Sequence, residues 1–286
     1  MNNIALYLII VIIWGCTWIA ITLQLGDVAP SVSIVYRFGF AAFILFIYCR
    51  VKKLPLTFNG RQHLQLFLFG ITLFGINYYL IYQAQQYINS ALSCIACSLL
   101  LFFNIINARI WYKTHINYQV YLGGLLGIIG ISTLFWPQIS NINLGTGTLL
   151  GVTFCLIGSL FASAGNMLSI RNNKLKLPLL PANAWGMFYG TCMMTVIALI
   201  QGDTFTFSYT FSYISSLLYL SIFGSVIAFA CYLTLLNNIG AHKASYAAIM
   251  FPAIAVIIST FAEDFSWSVY TVVGLSLILL GNLIVL

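Results

Sequence analysis

The sequence predicts an all-α integral membrane protein whose ten transmembrane helices form two inverted five-helix repeats. Three observations lead to this fold class. First, 62% of the 286 residues are hydrophobic and only 5% are charged, whereas a soluble domain carries about 25% charged residues. Second, the apolar runs are continuous over about 20 residues, unlike the ~10-residue alternating strands of a membrane β-barrel. Third, the two halves resemble each other at a fixed offset.

The apolar runs divide the chain into ten predicted spans joined by short connections. Pro30 and Pro181 open the second and seventh spans, because proline fits the first turn of a helix. The first run lacks the basic region and the small-residue cleavage site of a signal peptide, so we interpret it as a retained span. The predicted spans are residues 3–25, 31–50, 64–86, 90–111, 117–136, 146–170, 181–201, 212–236, 242–261 and 267–286.

The charges of the connections orient these spans. With the amino terminus in the cytoplasm, ten of the eleven Lys and Arg residues fall on the cytoplasmic side and all four acidic residues on the opposite side. Because the Lys and Arg bias sets orientation, we expect a multi-pass protein of the plasma (inner) membrane with both termini cytoplasmic. The acidic residues are Asp27, Asp203, Glu263 and Asp264. The cytoplasmic bases are Arg50, Lys52, Lys53, Arg61, Arg109, Lys113, Arg171, Lys174, Lys176 and Lys243.

A repeat emerges when the chain is shifted by 151 residues. Each half contains five spans, and an odd number requires the two halves to insert with opposite orientations. Inverted repeats are typical of secondary transporters, whose binding site lies near the membrane midplane between the halves. We therefore divide the chain into a first repeat, residues 1–140, and a second, residues 141–286. The shift aligns Pro30 with Pro181, Gly39 with Gly190, Ile88 with Ile239, Gly123 with Gly274 and Gly130 with Gly281.

Arg37 is the only charged residue well inside an apolar run. A cation in hydrocarbon costs about 2.5 kcal/mol or more, so it persists where it faces a watery cavity, finds a partner or reaches the interface. One interpretation is that Arg37 contributes to a central substrate cavity. The alternative is that Arg37, roughly 9 Å from the start of its span at ~1.5 Å per residue, extends to the outer interface.

Polar and aromatic residues repeat on single faces of several other spans. Polar groups that face lipid stay unsatisfied, so we expect these faces to line the same cavity. Interhelical hydrogen bonding and an interfacial aromatic belt are the alternatives. Together with Arg37, the predicted substrate-binding residues are Trp14, Thr17, Trp18, Asn77, Tyr78, Tyr82, Asn104, Ser163, Asn166, Trp185, Tyr189 and Tyr246.

The fifth span carries glycines at positions 123, 124, 127 and 130. Small residues at this spacing let helices approach closely. The stripe predicts either packing within the chain or a dimer seam, so we expect a monomer or a homodimer formed through small-residue helix faces.

Several short motifs occur in a specific order along both halves. They are Trp14-Gly15-Cys16-Thr17-Trp18, Pro30 with Arg37-Phe38, Asn89-Ser90-Ala91-Leu92-Ser93, Ile239-Gly240-Ala241-His242-Lys243-Ala244-Ser245, Pro252 and the run from Gly274 to Asn282. Over nearly the whole chain this order resembles the EamA-type members of the drug/metabolite transporter superfamily. The chain departs from the family at Leu101, where proline is usual, and at Ala262-Glu263, which only partly matches the usual Gly-Glu.

The resemblance implies the EamA transporter fold. Spans one to four and six to nine would line a central cavity, and spans five and ten would be peripheral. It also implies small substrates such as amino acids, other metabolites or drugs, which the family usually exports.

The residues themselves narrow the function further. No motif of a hydrolase, a metalloprotease or a phosphate-binding loop is present, so we expect no enzyme, no cofactor and no metal. The basic connections are explained by orientation, so no nucleic acid is expected. A buried base without a buried acid favours an amphiphile such as an amino acid, whose carboxylate would pair with Arg37.

The expected mechanism is alternating access in a secondary transporter. Proton-driven carriers place Asp, Glu or His within the spans, and none lies at mid-depth here. We therefore expect transport without proton coupling through an intramembrane carboxylate. A passive facilitator or channel and a multidrug efflux carrier are the alternatives.

Overall fold

The computed structural model describes residues 2–88, 90–140, 145–262 and 267–285, without side chains at residues 90, 91, 94, 138, 139 and 255–262. Throughout these ranges the chain is helical, with turns and short loops but no strand. Asn89, Glu263 and Asp264, on which some sequence-based expectations depend, lie outside the described residues.

The helices follow the predicted spans closely. Those of the first half are α1 (Asn3–Thr22), α2 (Pro30–Val51), α3 (Gly60–Ala84), α4 (Ser90–Ser98), α5 (Leu100–Tyr112), α6 (Tyr118–Leu134) and the short α7 (Trp136–Ile139). Those of the second half are α8 (Thr146–Lys174), α9 (Leu179–Gln201), α10 (Phe211–Ile239), α11 (Ala241–Ala244), α12 (Tyr246–Ala262) and α13 (Val269–Val285).

The lengths of these helices fit a membrane. Among the described residues, seven helical segments are long and apolar enough to cross one, namely α1, α2, α3, Ile95–Tyr112, α8, α9 and α10. The helices α6, α12 and α13 have 17 residues each, the lower limit for crossing a hydrocarbon layer of about 30 Å. The chain is therefore an all-helical, multi-pass membrane protein.

The predicted fourth span is broken at Leu99. The Leu99 amide donates to the carbonyl of Ala96 (3.3 Å), and the Ser98 hydroxyl donates to the carbonyl of Ile95 (2.6 Å). This tight turn separates α4 from α5 without a proline, and Leu101 is buried within the first turn of α5. The ninth span is interrupted in the same way, because a turn at Ser245 separates α11 from α12.

Two helices contain a π-helical turn. The first, Ile71–Ile76, lies within α3, and the second, Ile222–Ile227, lies within α10. Their numbers differ by 151, the same shift that aligns the glycines and prolines of the two halves. A π-turn inserts one residue into an α-helix and is frequent at functional sites. Here the first turn contributes Leu73 to the lining of the central cavity, and the second contacts the lining residues Trp14 and Arg37.

The two ends of the bundle carry opposite charges. Helix α2 begins three residues after Asp27 and ends beside Lys52 and Lys53. Helix α9 runs antiparallel to α2, so that Ser31 hydrogen-bonds to Asp203 just beyond the end of α9. The described acidic residues therefore lie at one end, and the lysines of the connections between α2 and α3 and between α8 and α9 lie at the other.

The glycine stripe of α6 packs against α13 of the same chain. A Cβ atom at Gly123 would lie 2.5 Å from the carbonyl oxygen of Gly281, and one at Gly130 would lie 2.8 Å from that of Gly274. Only glycine permits this approach, which contributes dispersion contacts where lipid supplies no hydrophobic driving force. Since α13 occupies this face, a homodimer would have to use another surface.

We predict that Gly130→Ala destabilises the protein by about 1–3 kcal/mol, the usual cost of overpacking, because its methyl group would force α6 and α13 apart. The measurement is thermal unfolding of the purified protein in detergent. The matched control is Gly60→Ala at the start of α3, where a Cβ atom meets nothing within 4 Å. Equal stability of the two variants would contradict the packing described.

Candidate functional site

A cavity of about 130 Å³ lies at the centre of the bundle. Eight helices contribute to its wall, which combines aromatic rings, small residues and a few polar groups. The side chains that line it are those of Trp14, Thr17, Trp18, Ile21, Arg37, Leu73, Asn77, Tyr78, Ile81, Cys97, Ser98, Leu100, Ser159, Ala162, Asn166, Phe229, Tyr232, Ser245, Ala248 and Phe251.

Arg37 is the cation of this cavity. Its side chain is only 1% exposed, so it does not extend to the outer interface, and that alternative is wrong. Nε donates to the hydroxyl of Ser225 (3.0 Å), and Nη1 lies 3.5 Å from the hydroxyl of Tyr82. The guanidinium also lies 4.7 Å from the ring centre of Tyr78, a cation–π contact.

These contacts do not neutralise Arg37. Neither Asp27 nor Asp203 pairs with it, and no ion pair occurs between described residues. A guanidinium has five N–H donors, and the hydrogen bonds to Ser225 and Tyr82 engage Nε and Nη1. The arginine thus retains both its charge and donor capacity for a ligand in the cavity.

The π-turn of α10 supplies the partners of both Arg37 and Trp14. Within this turn, Ser225 accepts from Arg37, and the carbonyl of Gly224 accepts from the indole nitrogen of Trp14 (3.0 Å). A Cβ atom at Gly224 would lie 3.2 Å from Cγ2 of Thr17, which is a tight contact, and 3.5 Å from Nη2 of Arg37, which is an ordinary one. The π-turn therefore presents the carbonyl of Gly224 and the hydroxyl of Ser225 to side chains of the cavity wall.

Aromatic rings form one wall of the cavity. The ring of Trp14 lies 5.0 Å from those of Phe229 and Tyr232 and 5.9 Å from that of Phe251. These edge-to-face and tilted arrangements are the ones that aromatic pairs prefer. The wall offers an apolar surface to the non-polar part of a small ligand.

Two amide oxygens in the cavity wall are buried without a hydrogen-bond partner. Asn77 is 6% exposed and donates through Nδ2 to the carbonyl of Leu73, while its Oδ1 has no partner. Asn166 is 1% exposed and donates to Asn104 and Tyr232, while its Oδ1 also has none. An unsatisfied buried acceptor costs about 1–3 kcal/mol, so these oxygens are sites for a ligand donor or for water.

A polar network closes the cavity towards the basic end of the bundle. Asn104 donates to Ser245, while Asn166 donates to Asn104 (3.2 Å) and to the hydroxyl of Tyr232 (3.0 Å). These side chains come from α5, α8, α10 and the turn before α12. The network joins four segments and forms the floor of the cavity.

The structure brings seven of the thirteen predicted site residues to the cavity surface, namely Trp14, Thr17, Trp18, Arg37, Asn77, Tyr78 and Asn166. Three more lie directly behind it. Tyr82 contacts Arg37, Asn104 belongs to the floor, and the hydroxyl of Ser163 accepts from Asn107 of α5 (2.8 Å).

Trp185 and Tyr189 do not line the cavity, and the prediction that places them there is wrong. The indole nitrogen of Trp185 donates to the carbonyl of Leu56, and the hydroxyl of Tyr189 lies 2.8 Å from Nδ1 of His63. Gly186 explains this orientation, because a Cβ there would lie 2.7 Å from the Phe69 ring of α3. The glycine face of α9 turns inward, and the aromatic pair turns towards the basic surface, as in an interfacial aromatic belt.

Tyr246 does not line the cavity either. Its hydroxyl donates to the carbonyl of Val120, where the glycine stripe of α6 leaves room for its ring. Helix α9 contributes no described residue to the cavity surface, unlike the seventh span in the arrangement that the resemblance implies. No residue of α6 or α13 contributes either, as expected for peripheral helices.

Sequence reasoning missed the cavity residues of α10. The repeat could have identified Phe229, because a shift of 151 residues places it at the position of Tyr78, and the two rings lie 6.2 Å apart. Ser225 lies in the second π-turn, and no sequence pattern indicates such a turn. In the described chain, no group of three or more His, Cys, Asp or Glu residues is placed to hold a metal ion.

Comparison with known proteins agrees with the helical architecture. The chain is 23% identical over 248 residues to an uncharacterized transporter, YoaV, of Bacillus subtilis, covering 86% of this chain and 84% of that protein. It is 27% identical over 254 residues to an uncharacterized inner membrane transporter, YedA, of Escherichia coli K12, covering 87% and 79%. Protein PagO of Salmonella typhimurium is 23% identical over 278 residues, covering 96% and 90%.

A solved crystal structure has the same fold, with a TM-score of 0.81 at 13% sequence identity, covering 99% of this chain and 95% of that one. The sequence profile of the EamA-like transporter family matches residues 1–136 and 149–286. The chain is a membrane transporter that belongs to the EamA-like transporter family.

Proposed function

We propose that the protein is a secondary transporter that carries small amphiphilic metabolites with a carboxylate, such as amino acids, by alternating access. The observation that carries this proposal is the buried, unneutralised guanidinium of Arg37 in the central cavity. A cation at this depth is expensive unless an anion or water reaches it. The substrate carboxylate supplies the missing charge through hydrogen bonds to the free N–H groups of Arg37.

The amide oxygens complete the recognition of a zwitterion. Asn77 and Asn166 line the same cavity, and each has a buried amide oxygen without a partner, while the lining residues described include no carboxylate. An ammonium group would donate to these oxygens and rest against aromatic faces. The apolar part of the substrate would contact Trp14, Phe229 and Phe251.

The architecture that we propose for this mechanism is a ten-helix inverted repeat, with residues 1–140 and 141–286 as its halves. Two pairs of observations support it. The π-turns of α3 and α10 are separated by the repeat shift of 151 residues. Gly123 meets Gly281, and Gly130 meets Gly274, and exchanging the halves turns the first pair into the second. Such a two-fold relation lets one half rock against the other around a central site.

The proposed cycle moves substrate outward across the plasma (inner) membrane, with both termini in the cytoplasm. The concentration of bases at one end of the bundle supports this orientation, and the usual export by the family supports the direction. The hydrogen-bonded floor between the cavity and the basic end favours a gated carrier over a passive facilitator or channel, because a continuous pore would need that network to be absent.

We predict that Arg37→Gln reduces transport of carboxylate substrates tenfold or more, because a charged hydrogen bond is worth roughly 1.5–3 kcal/mol. The measurement uses proteoliposomes loaded with a mixture of the common amino acids and follows each one lost faster than from protein-free vesicles. Arg37→Lys keeps the charge but loses the planar fork of donors, so it should retain intermediate activity.

The matched control is Arg109→Gln, which removes an exposed arginine at the end of α5. Its transport rate should equal that of the unmodified protein. If Arg37→Gln inserts into the membrane normally and its transport rate is unchanged, the proposed role of Arg37 is contradicted.

Transport is proposed to run without proton coupling. The described acidic residues, Asp27 and Asp203, lie at the end of the bundle, and no described Asp, Glu or His lines the cavity. Asp203 is held by the hydroxyl of Ser31. A proton-coupled transporter needs a titratable group that water can reach and that takes part in the transport cycle. For this role, the described wall of the cavity offers only tyrosine and cysteine side chains.

We predict that a pH gradient alone does not drive accumulation of substrate. Proteoliposomes with equal substrate on both sides receive a pH jump within a range where the substrate keeps its ionisation. The internal concentration should stay constant, whereas a substrate gradient at equal pH should produce flux. Accumulation that follows the pH gradient would show coupling and would lead next to Glu263→Gln with Asp264→Asn.

A further inference from the structure

A second concave site lies at the basic end of the bundle, apart from the central cavity. It is an open, apolar groove of about 470 Å³ between α1, α9 and α10, and Leu54 of the connection between α2 and α3 also lines it. Among the described residues that line it, Thr234 is the only polar one. The lining residues are Leu6, Leu54, Pro178, Leu179, Leu180, Pro181, Ala230, Cys231 and Thr234.

The groove reaches well into the bundle. Ala230 lies nine residues before the end of α10 at Ile239, which corresponds to about 13 Å of helix. Its other wall, Pro178 to Pro181, begins at the level of the connection between α8 and α9. The shape thus extends from the membrane surface into the adjoining leaflet, which suits an extended hydrocarbon chain better than a polar solute.

The same tetrapeptide occurs at both sides of the mouth. Lys53-Leu54-Pro55-Leu56 follows α2, and Lys176-Leu177-Pro178-Leu179 leads into α9. Leu54 from the first copy and Pro178 and Leu179 from the second line the groove. Lys52, Lys53 and Lys176 are exposed beside it, and the described acidic residues lie at the opposite end of the bundle.

The two lysines occupy backbone positions that favour glycine. Lys53 has φ 53° and Lys176 has φ 56°, both in the left-handed region. At each helix end, the backbone N–H of the lysine donates to the carbonyl three residues earlier, and the N–H of the next residue donates to the carbonyl five residues before itself. Gly202 closes α9 at the acidic end with the same pair of bonds at φ 72°.

This comparison indicates that charge, not backbone geometry, explains the lysines. Glycine adopts the left-handed conformation without the steric cost that a Cβ imposes, and α9 uses it. At the groove, as at Lys113 after α5, lysine takes the same position in spite of that cost. A cation interacts favourably with the C-terminal end of a helix. A lysine at a neighbouring position with right-handed backbone angles would make the same interaction without strain.

We propose that this groove is a binding site for an anionic phospholipid of the adjoining leaflet. Its acyl chain would fill the apolar groove, and its phosphate would lie between Lys53 and Lys176. Basic pockets between transmembrane helices on the cytoplasmic side are suited to anionic headgroups. The site holds α9, α10 and the connection after α2 together, and it does not depend on what the central cavity carries.

The test is native mass spectrometry of the full-length protein with phosphatidylglycerol and with phosphatidylcholine of the same acyl chains. The unmodified protein should retain phosphatidylglycerol in preference to phosphatidylcholine. Removing one lysine near an anionic group should weaken that preference about fivefold, and Lys53→Gly with Lys176→Gly should weaken it roughly 25-fold. Because glycine suits both backbone positions, the double variant should melt no lower than the unmodified protein in phosphatidylcholine.

Two further variants separate this site from general surface charge. Lys113→Gly removes a third lysine with a positive φ at the same end of the bundle, beyond α5 and outside the groove, and should leave the preference unchanged. Ala230→Phe fills the groove without changing charge and should lower retention of phosphatidylglycerol. An unchanged preference in the double variant, an equal loss in Lys113→Gly, or full retention in Ala230→Phe would each overturn the proposal.

Discussion

A permanent cation buried among apolar helices is the constraint on which the centre of this protein depends. From its 1% exposed position, the side chain of Arg37 cannot reach water at the interface. Polar groups within a bilayer must be satisfied inside the protein, so helices α3 and α10 bring hydroxyls and an aromatic ring to the guanidinium. The contacts hold the arginine in place and leave its charge for a ligand.

The π-turns connect this constraint to the backbone. Ser225 and Gly224 reach Arg37 and Trp14 from the π-turn of α10, and Asn77 and Tyr78 follow directly after the π-turn of α3. Both helices therefore depart from regular hydrogen bonding where they meet the cavity. Glycines elsewhere allow the remaining helices to pack closely, so the irregular backbone is confined to the site.

Much of this architecture could be predicted from the sequence. The length of the apolar runs predicts the helices, and the charge of the connections predicts how they are oriented. The shift of 151 residues predicts which glycines of the two halves correspond. The sequence could not indicate which face of a helix turns inward where aromatic and glycine residues alternate. Trp185 and Gly186 are neighbours, and the need for α9 to approach α3 decides that the glycine faces inward. The partners of Arg37 escaped prediction because a π-turn shifts the helical register, and periodicity assumes a regular one.

Recognition of a substrate carboxylate by Arg37 can be tested through the effect of ligands on the stability of the protein. The measurement is the thermal unfolding midpoint of the purified protein with leucine or phenylalanine and with the corresponding carboxamides. A ligand that binds only the folded state raises the midpoint as its concentration exceeds the dissociation constant. At least one amino acid should raise the midpoint while its carboxamide does not, and Arg37→Gln should abolish the difference. Equal stabilisation by acid and carboxamide, or stabilisation that persists in Arg37→Gln, would contradict it.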